Sequence, residues 1–319
     1  MLKSSRGKTG CLLIIATLAS GCGNLLSGTG DSEAVQQVVK QALENQVFVE
    51  GGTFMLGDVG RSNGAPYVTL TDFSRPAVEV SIDSYSISRY ETTWGEMHAY
   101  YEALDRAHLY TDDFTLKNYV IASDDPLSPN YHRKPARVPN YGEAEGYCAW
   151  LAKLSGFPFA VPTEAQWEYA ARSRGQNVPY ATDTGEEDND TYLQRPREYI
   201  DPSVPPSGNM LSHSSLIFER RPVGSYPPNP LGLYDMTGNV AEWTQDWFQE
   251  DFYEHAPRDN PSGPAAPVNP DKPEKTVRDW AGQGADSGGS GTVFARAGIS
   301  IDSLGNGFRC VVNSPKPVN

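Results

Sequence analysis

Gly232-Leu-Tyr-Asp-Met-Thr-Gly-Asn-Val-Ala-Glu-Trp-Thr-Gln-Asp-Trp-Phe248 sets a glycine turn, acidic side chains, an amide and two tryptophans side by side. The stretch is too irregular for an amphipathic helix and too polar for a buried strand. Gly238-Asn239 supplies a tight turn, because Gly accepts positive φ and Asn bonds its own backbone. Val240 and Glu242 follow at alternating positions. Such a bend can aim carbonyls, an amide oxygen and a carboxylate at one point, the all-oxygen shell that Ca²⁺ prefers. A purely structural loop anchored by Trp243 and Trp247 fits the same residues, and composition alone does not separate the two readings.

On either side the chain is organised by simpler signals. Thr93 with Glu96, Asn140 with Glu143 and Thr163 with Gln166 have capping-box spacing. They predict helices reaching about Leu104, Leu154 and Arg172. Val78, Val80 and Ile82 alternate with polar residues and the pattern continues through Tyr85 and Ile87, which predicts a half-buried strand pair. Val35, Val38, Val39 and Ala42 form one apolar stripe, a short helix that packs on the domain or serves a partner. Residues 173–208 and 250–291 are polar, Pro/Gly-rich excursions; the acidic run 186–190 reads as a solvated loop. High Gly, Pro and aromatic content indicates one loop-rich globular domain.

The N-terminus reads as an export address. Lys3, Arg6 and Lys8 precede a short apolar run, 11–19, which is too short to span a bilayer as a helix. Leu18-Ala-Ser-Gly-Cys22 resembles a bacterial lipobox, with Leu18 one place further back than usual. The expected organisation is a signal peptide over 1–21, a tether and short helix over 22–46, and a domain over 47–314, with Cys22 lipidated. The protein is then held in the cell envelope facing the periplasm, at the outer membrane rather than the inner. Formal charge is −14, which argues against nucleic acid as a partner and suits divalent cations.

Four motifs in order carry a family resemblance: Phe48-Val-Glu-Gly-Gly-Thr-Phe-Met-Leu-Gly57; Tyr147-Cys-Ala-Trp-Leu151 with Val161-Pro-Thr-Glu-Ala-Gln-Trp-Glu-Tyr-Ala-Ala-Arg172; the 232–248 stretch; and Gly307-Phe-Arg-Cys310. Together they resemble the sulfatase-modifying-factor family, also called the formylglycine-generating-enzyme family. The resemblance implies an irregular α+β fold similar to that of C-type lectins. It places Cys148 and Cys310 in motifs that are disulfide-bonded in many members, with two buried thiols as the alternative. It also implies calcium at Gly238, Asn239, Val240 and Glu242, and a degraded second calcium site at Asn209 and Met210. The acid expected there before Pro222-Val223 is missing from Ser214–Phe218.

Oxidases of that family hold copper(I) on two cysteines placed after an Arg-Gly-Gly-Ser-like strand, thiolate being the right match for a soft ion. Arg296-Ala-Gly-Ile-Ser300 is read as that strand; Asp302 stands where the first cysteine would fall, and thirteen residues separate Arg296 from Cys310. Copper is not expected. His98, His108, His132, His213 and His255 lack metal-ligand spacing. Two readings remain. One is a non-catalytic binding module serving envelope or secretion-system proteins, as several lipoproteins of the family do. The other is an oxidoreductase with altered chemistry, of siderophore-maturation type or with residual sulfatase-modifying activity. It would work through Asp302, Ser300 and Arg296 beside Trp243 or Trp247, unless Asp302 is a turn residue.

Overall fold

The computed structural model describes residues 32–69, 71–106, 122–128, 130–186, 220–279 and 292–319. Cys22, the signal segment, His108, Asn209, Met210 and His213 lie outside them, as does most of the acidic run. In chain order the elements are α1 (Glu33–Glu44), β1 (Gln46–Val49), β2 (Gly52–Leu56), β3 (Val78–Ile82), β4 (Tyr85–Ser88) and α2 (Trp94–Ala103). They continue as α3 (Tyr141–Ser155), β5 (Phe159–Ala160), α4 (Glu164–Ala171), β6 (Glu242–Trp247), β7 (Glu274–Arg278), β8 (Arg296–Ser300) and β9 (Val311–Val312). The fold is α+β and loop-rich, with a four-stranded sheet β1-β4-β9-β5, the pair β2-β3 and a three-stranded sheet β6-β7-β8.

The capping signals act as read, with one exception. Thr93 and Glu96 exchange both bonds at the start of α2, and Thr163 and Gln166 do so at α4. Asn140 accepts from the Glu143 amide (3.1 Å), but the Glu143 carboxylate turns away to Arg106 (2.6 Å). An ion pair has displaced the return arm of that box. Gly156 ends α3 with φ of 75°, the left-handed turn that favours glycine.

The expected strand pair is corrected. β3 and β4 follow one another but do not pair: β3 lies against β2, and β4 lies between β1 and β9. The chain from β1 to β2 runs antiparallel to the chain from β3 to β4, as one ribbon interrupted at Glu50-Gly51 opposite Asp83-Ser84. A Cβ on Gly51 would stand 2.3 Å from the Ile82 carbonyl oxygen, so only glycine permits this close crossing. Val80 and Ile82 are buried as the alternation predicts, but β4, enclosed between β1 and β9, is buried on both faces, Ser86 included.

Of the two destinations open to α1, the structure shows packing on the domain. Val35, Val38 and Ala42 are buried in the same core as Trp94, Tyr101, Tyr147, Trp150 and Phe308. Asn319 donates to the carbonyls of Glu44 and Gln46 and so clasps the end of the helix. A second core joins the β2-β3 ribbon to Trp167 and Tyr169 of α4, with Leu233, Met236 and Phe294. Cys148 of α3 is disulfide-bonded to Cys310, 162 residues away. Closing so long a loop contributes about 2–4 kcal/mol. Among the described residues no helix is long and apolar enough to cross a membrane.

Candidate functional site

The turn that opened the sequence analysis is built as its composition requires: Gly238 and Asn239 have φ of 90° and 63°. The Gly238 and Val240 amides and the Asn239 side chain, however, are engaged within the protein. The Asn239 amide nitrogen donates to Glu91 (2.7 Å), and its oxygen accepts from the Arg221 amide (2.9 Å). The Gly238 amide donates to Asp279 (2.6 Å) and the Val240 amide to Glu91 (3.3 Å). Glu242, fully buried, accepts three contacts from Arg309 (2.6, 2.8 and 3.0 Å) and one from the Trp167 indole (3.0 Å). Both carboxylate oxygens are thus engaged, the Arg309 Nε–H being shared between them. Expected as a calcium ligand, Glu242 is here the acid of a buried ion pair with Arg309.

Four buried acids, Glu91, Asp235, Glu242 and Asp279, gather around Arg309 in this region, and Arg278 also acts on Asp279. Burial, reinforced by Asp235 and Glu242, holds the Glu91 carboxyl well above its usual range against the pull of Arg309. Burial also pushes Asp279 well up, despite the Gly238 hydrogen bond, and raises Asp235 to about 6. One oxygen of Asp235 and one of Asp279 have no hydrogen-bond partner. Among the described residues no three His, Cys, Asp or Glu side chains are grouped to hold a metal. The Asp279 carboxylate, bonded to the Gly238 amide through one oxygen, keeps the other without a partner.

The residues expected to line an open groove beside β8 are dispersed. Arg296 is buried and its guanidinium clasps Glu164 (2.6 and 3.0 Å) and the Phe73 carbonyl (2.9 Å). It is a structural cation and not a groove residue. Asp302 lies in the turn after β8, its amide donating to the Ser300 hydroxyl (3.4 Å). Trp243 is fully buried beside Tyr141 and forms no wall. Trp247 instead carries the Lys275 ammonium on its face, 3.7 Å from the ring centre. Burial lowers the Lys275 pKa, opposed by Glu145 and Asp246.

A second charged network lies under the sheet. Arg278 reaches Glu164 (2.8 Å) and Glu168 (2.8 Å), and Arg172 also pairs with Glu168 (2.8 Å). Asp246 accepts the Glu164 amide at the start of α4 (2.8 Å). Burial raises the Glu164 carboxyl, but Arg296 and Arg278 outweigh this and hold it below its ordinary value. Burial and then the Glu164 charge push Asp246 up to about 8. Sequence reasoning had treated Glu164 and Arg309 only as parts of motifs, since their partners come from distant stretches.

Two strands of the β6-β7-β8 sheet, β7 and β8, lead into loops that could carry a thiol pair. The strand beside β6 is β7, ending at Arg278, and β8 lies outermost. Neither the stretch after β7 (279–295) nor that after β8 (301–309) contains a cysteine. All four cysteines are at 11, 22, 148 and 310. Residues 31–313 match the family described as the sulfatase-modifying factor enzyme 1-like domain. The chain belongs to that family. The sulfatase-modifying-factor match includes α1.

Among relatives of this sulfatase-modifying-factor chain, serine/threonine-protein kinase pkn1 of Chlamydia pneumoniae is 30% identical over 246 residues, covering 75% of this chain and 34% of the kinase. The chain thus spans about a third of that relative's length. Chaperone protein LppX of Paenibacillus barcinonensis is 27% identical over 218 residues, 64% of this chain and 72% of the chaperone. Formylglycine-generating enzymes are also among the relatives. The structure of PvdO from Pseudomonas aeruginosa superposes with a TM-score of 0.56 at 24% identity, over 84% of this chain and 93% of that one. It shows the same fold.

Proposed function

We propose that this protein is a lipid-anchored, non-catalytic member of its family, a calcium-stabilised module that recognises other proteins in an envelope or secretion assembly. The observation that carries this reading is the cysteine inventory. Copper(I) needs two thiolates, and the folded domain has only Cys148 and Cys310, joined in a disulfide. Cys22 would carry the lipid and hold the domain at the periplasmic face, at the outer membrane rather than the inner. Similarity to a protein named as a chaperone supports protein recognition as the task. The runner-up, an oxidoreductase with altered chemistry, is disfavoured by the placement of its candidates: Arg296 is locked to Glu164 and Asp302 occupies a turn. Incubating the protein with copper(I), oxygen and a cysteine-containing sulfatase peptide is expected to give no aldehyde. Conversion at a turnover comparable to a formylglycine-generating enzyme would end this proposal.

In the same reading, calcium is held by the carbonyl oxygens of Gly238 and Val240 with the Asp279 carboxylate, and it neutralises acids that Arg309 alone leaves in excess. A ligand that binds only the native state raises stability by RT ln(1 + [L]/Kd), about 2.7 kcal/mol at a hundredfold excess over Kd. Thermal unfolding is therefore expected to shift upward by several degrees on adding millimolar calcium after chelation. Asp279→Asn should abolish the shift. An unchanged shift in that variant would remove Asp279 from the site.

A further inference from the structure

Eight of the described arginines, from Arg75 to Arg309, each face a carboxylate at ion-pair distance. Arg89, Arg133 and Arg221 have no such partner among the described residues, and the fold draws these three to one rim. Arg89 follows β4, and its carbonyl accepts the Tyr234 amide (3.0 Å). The Tyr234 ring lies against that of Tyr90, with 4.9 Å between centres. Arg133 and Tyr90 line one cavity, and the Arg133 carbonyl accepts the amide of Val223 (2.9 Å), two residues past Arg221. Arg221 donates its amide to Asn239 (2.9 Å), and its guanidinium bonds the Tyr226 hydroxyl. Arg133 is exposed; Arg89, Arg221, Tyr90 and Tyr234 are half-buried.

We propose that this rim is a docking surface for an acidic segment of a partner polypeptide. It rests on the protein-recognition reading above and names the chemistry of the partner.

Three features favour that occupant. The planar fork of an arginine takes a carboxylate through two parallel hydrogen bonds, and three unpaired forks in a chain of formal charge −14 steer acidic groups to one place. Arginine and tyrosine are also the residue types that carry much of the energy of protein interfaces. Finally, the charge has two centres: Tyr90 feels Arg89 and Arg133, whereas Tyr226 feels Arg221. Two centres suit successive carboxylates along a chain better than one small anion.

Nearby acids do not neutralise the rim. Asp235 and Glu91 are buried, the first bonded to the Gly224 amide (2.7 Å) and the second to the Asn239–Val240 turn. Asp124 faces His132 at 3.4 Å.

A fluorescein-labelled hexaglutamate peptide is titrated into the full chain by anisotropy at about 0.15 M salt, where screening is physiological. The native protein is compared with Arg133→Glu and Lys272→Glu. Arg133 is exposed and its hydrogen bond to Val223 uses only the backbone, so the first variant keeps the fold. Lys272 is exposed in the turn closed by Asn269, and its reversal changes net charge equally. Saturable binding is expected, weakened tenfold or more in Arg133→Glu and less than twofold in Lys272→Glu. Equal weakening in both variants, or no binding at millimolar peptide, overturns the proposal. So does displacement of the peptide by millimolar inorganic phosphate at constant ionic strength, which assigns the rim to phosphate. The aldehyde assay separates the two levels: turnover there ends the recognition reading, whereas failed peptide binding without turnover removes the acidic partner alone.

Discussion

Replacing Arg309 by methionine is expected to lower the free energy of unfolding by about 3–5 kcal/mol, the range for removing one partner of a buried ion pair. Arg309 uses its whole guanidinium. It pairs with Glu242, donates from Nη1 to the carbonyls of Ser88 and Arg89, and from Nη2 to that of Tyr234 (3.0 Å). Methionine retains the apolar stem but leaves Glu242 buried with only the Trp167 indole. It also removes the guanidinium that moderates Glu91, Asp235 and Asp279. Among the described residues no second cation is paired with Glu242. Chemical denaturation of the two proteins measures the loss directly. Adding Glu242→Gln to Arg309→Met should recover part of it, since the stranded charge is then gone. If the double variant is as unstable as the sum of two independent losses, charge stranding is not the cause.

A comparable loss, again about 3–5 kcal/mol, is expected for Glu164→Gln. Glu164 receives both Arg278 and Arg296, and Arg296 has no other carboxylate at ion-pair distance among the described residues. Arg278 and Arg172 keep Glu168 and are stranded less. The substitution also has a signature in pH. Asp246 is raised to about 8 in part by the Glu164 charge. An acid whose native pKa is raised binds more protons folded than unfolded between its two pKa values. Its contribution is therefore present at low pH and is lost as pH rises from about 4 to about 8. Native protein should accordingly show a lower urea midpoint at pH 8 than at pH 5. In Glu164→Gln the repulsion is absent, Asp246 ionises more readily beside Arg296, and this pH dependence should flatten. A Glu164→Gln profile as steep as the native one would mean that the two acids are not coupled.

How far the sequence alone could be read depends on the range over which each signal acts. Helix starts were readable because Thr93 with Glu96 and Thr163 with Gln166 settle their bonds within four residues. Burial of α1 was readable from its stripe, but its destination was not, because a stripe does not name the surface that covers it. Strand partners escaped for the same reason, and β3 and β4 were assigned to each other when a glycine crossing sends them to different sheets. Glu242 shows the limit most clearly. A carboxylate after a Gly-Asn turn reads equally as a calcium ligand or as half of an ion pair. The distinguishing residue, Arg309, lies 67 positions away. Asp279, whose oxygen lacks a partner, carried no local signal at all.

The account turns on whether the folded domain can offer thiolate to copper. Full-length chain with Cys11 and Cys22 replaced by serine can be set against a chromogenic copper(I) chelator under anaerobic conditions. The expected result is that the chelator retains the metal, because Cys148 and Cys310 are bonded to each other. Transfer of one copper(I) per chain, prevented by alkylating the protein beforehand, would contradict the account.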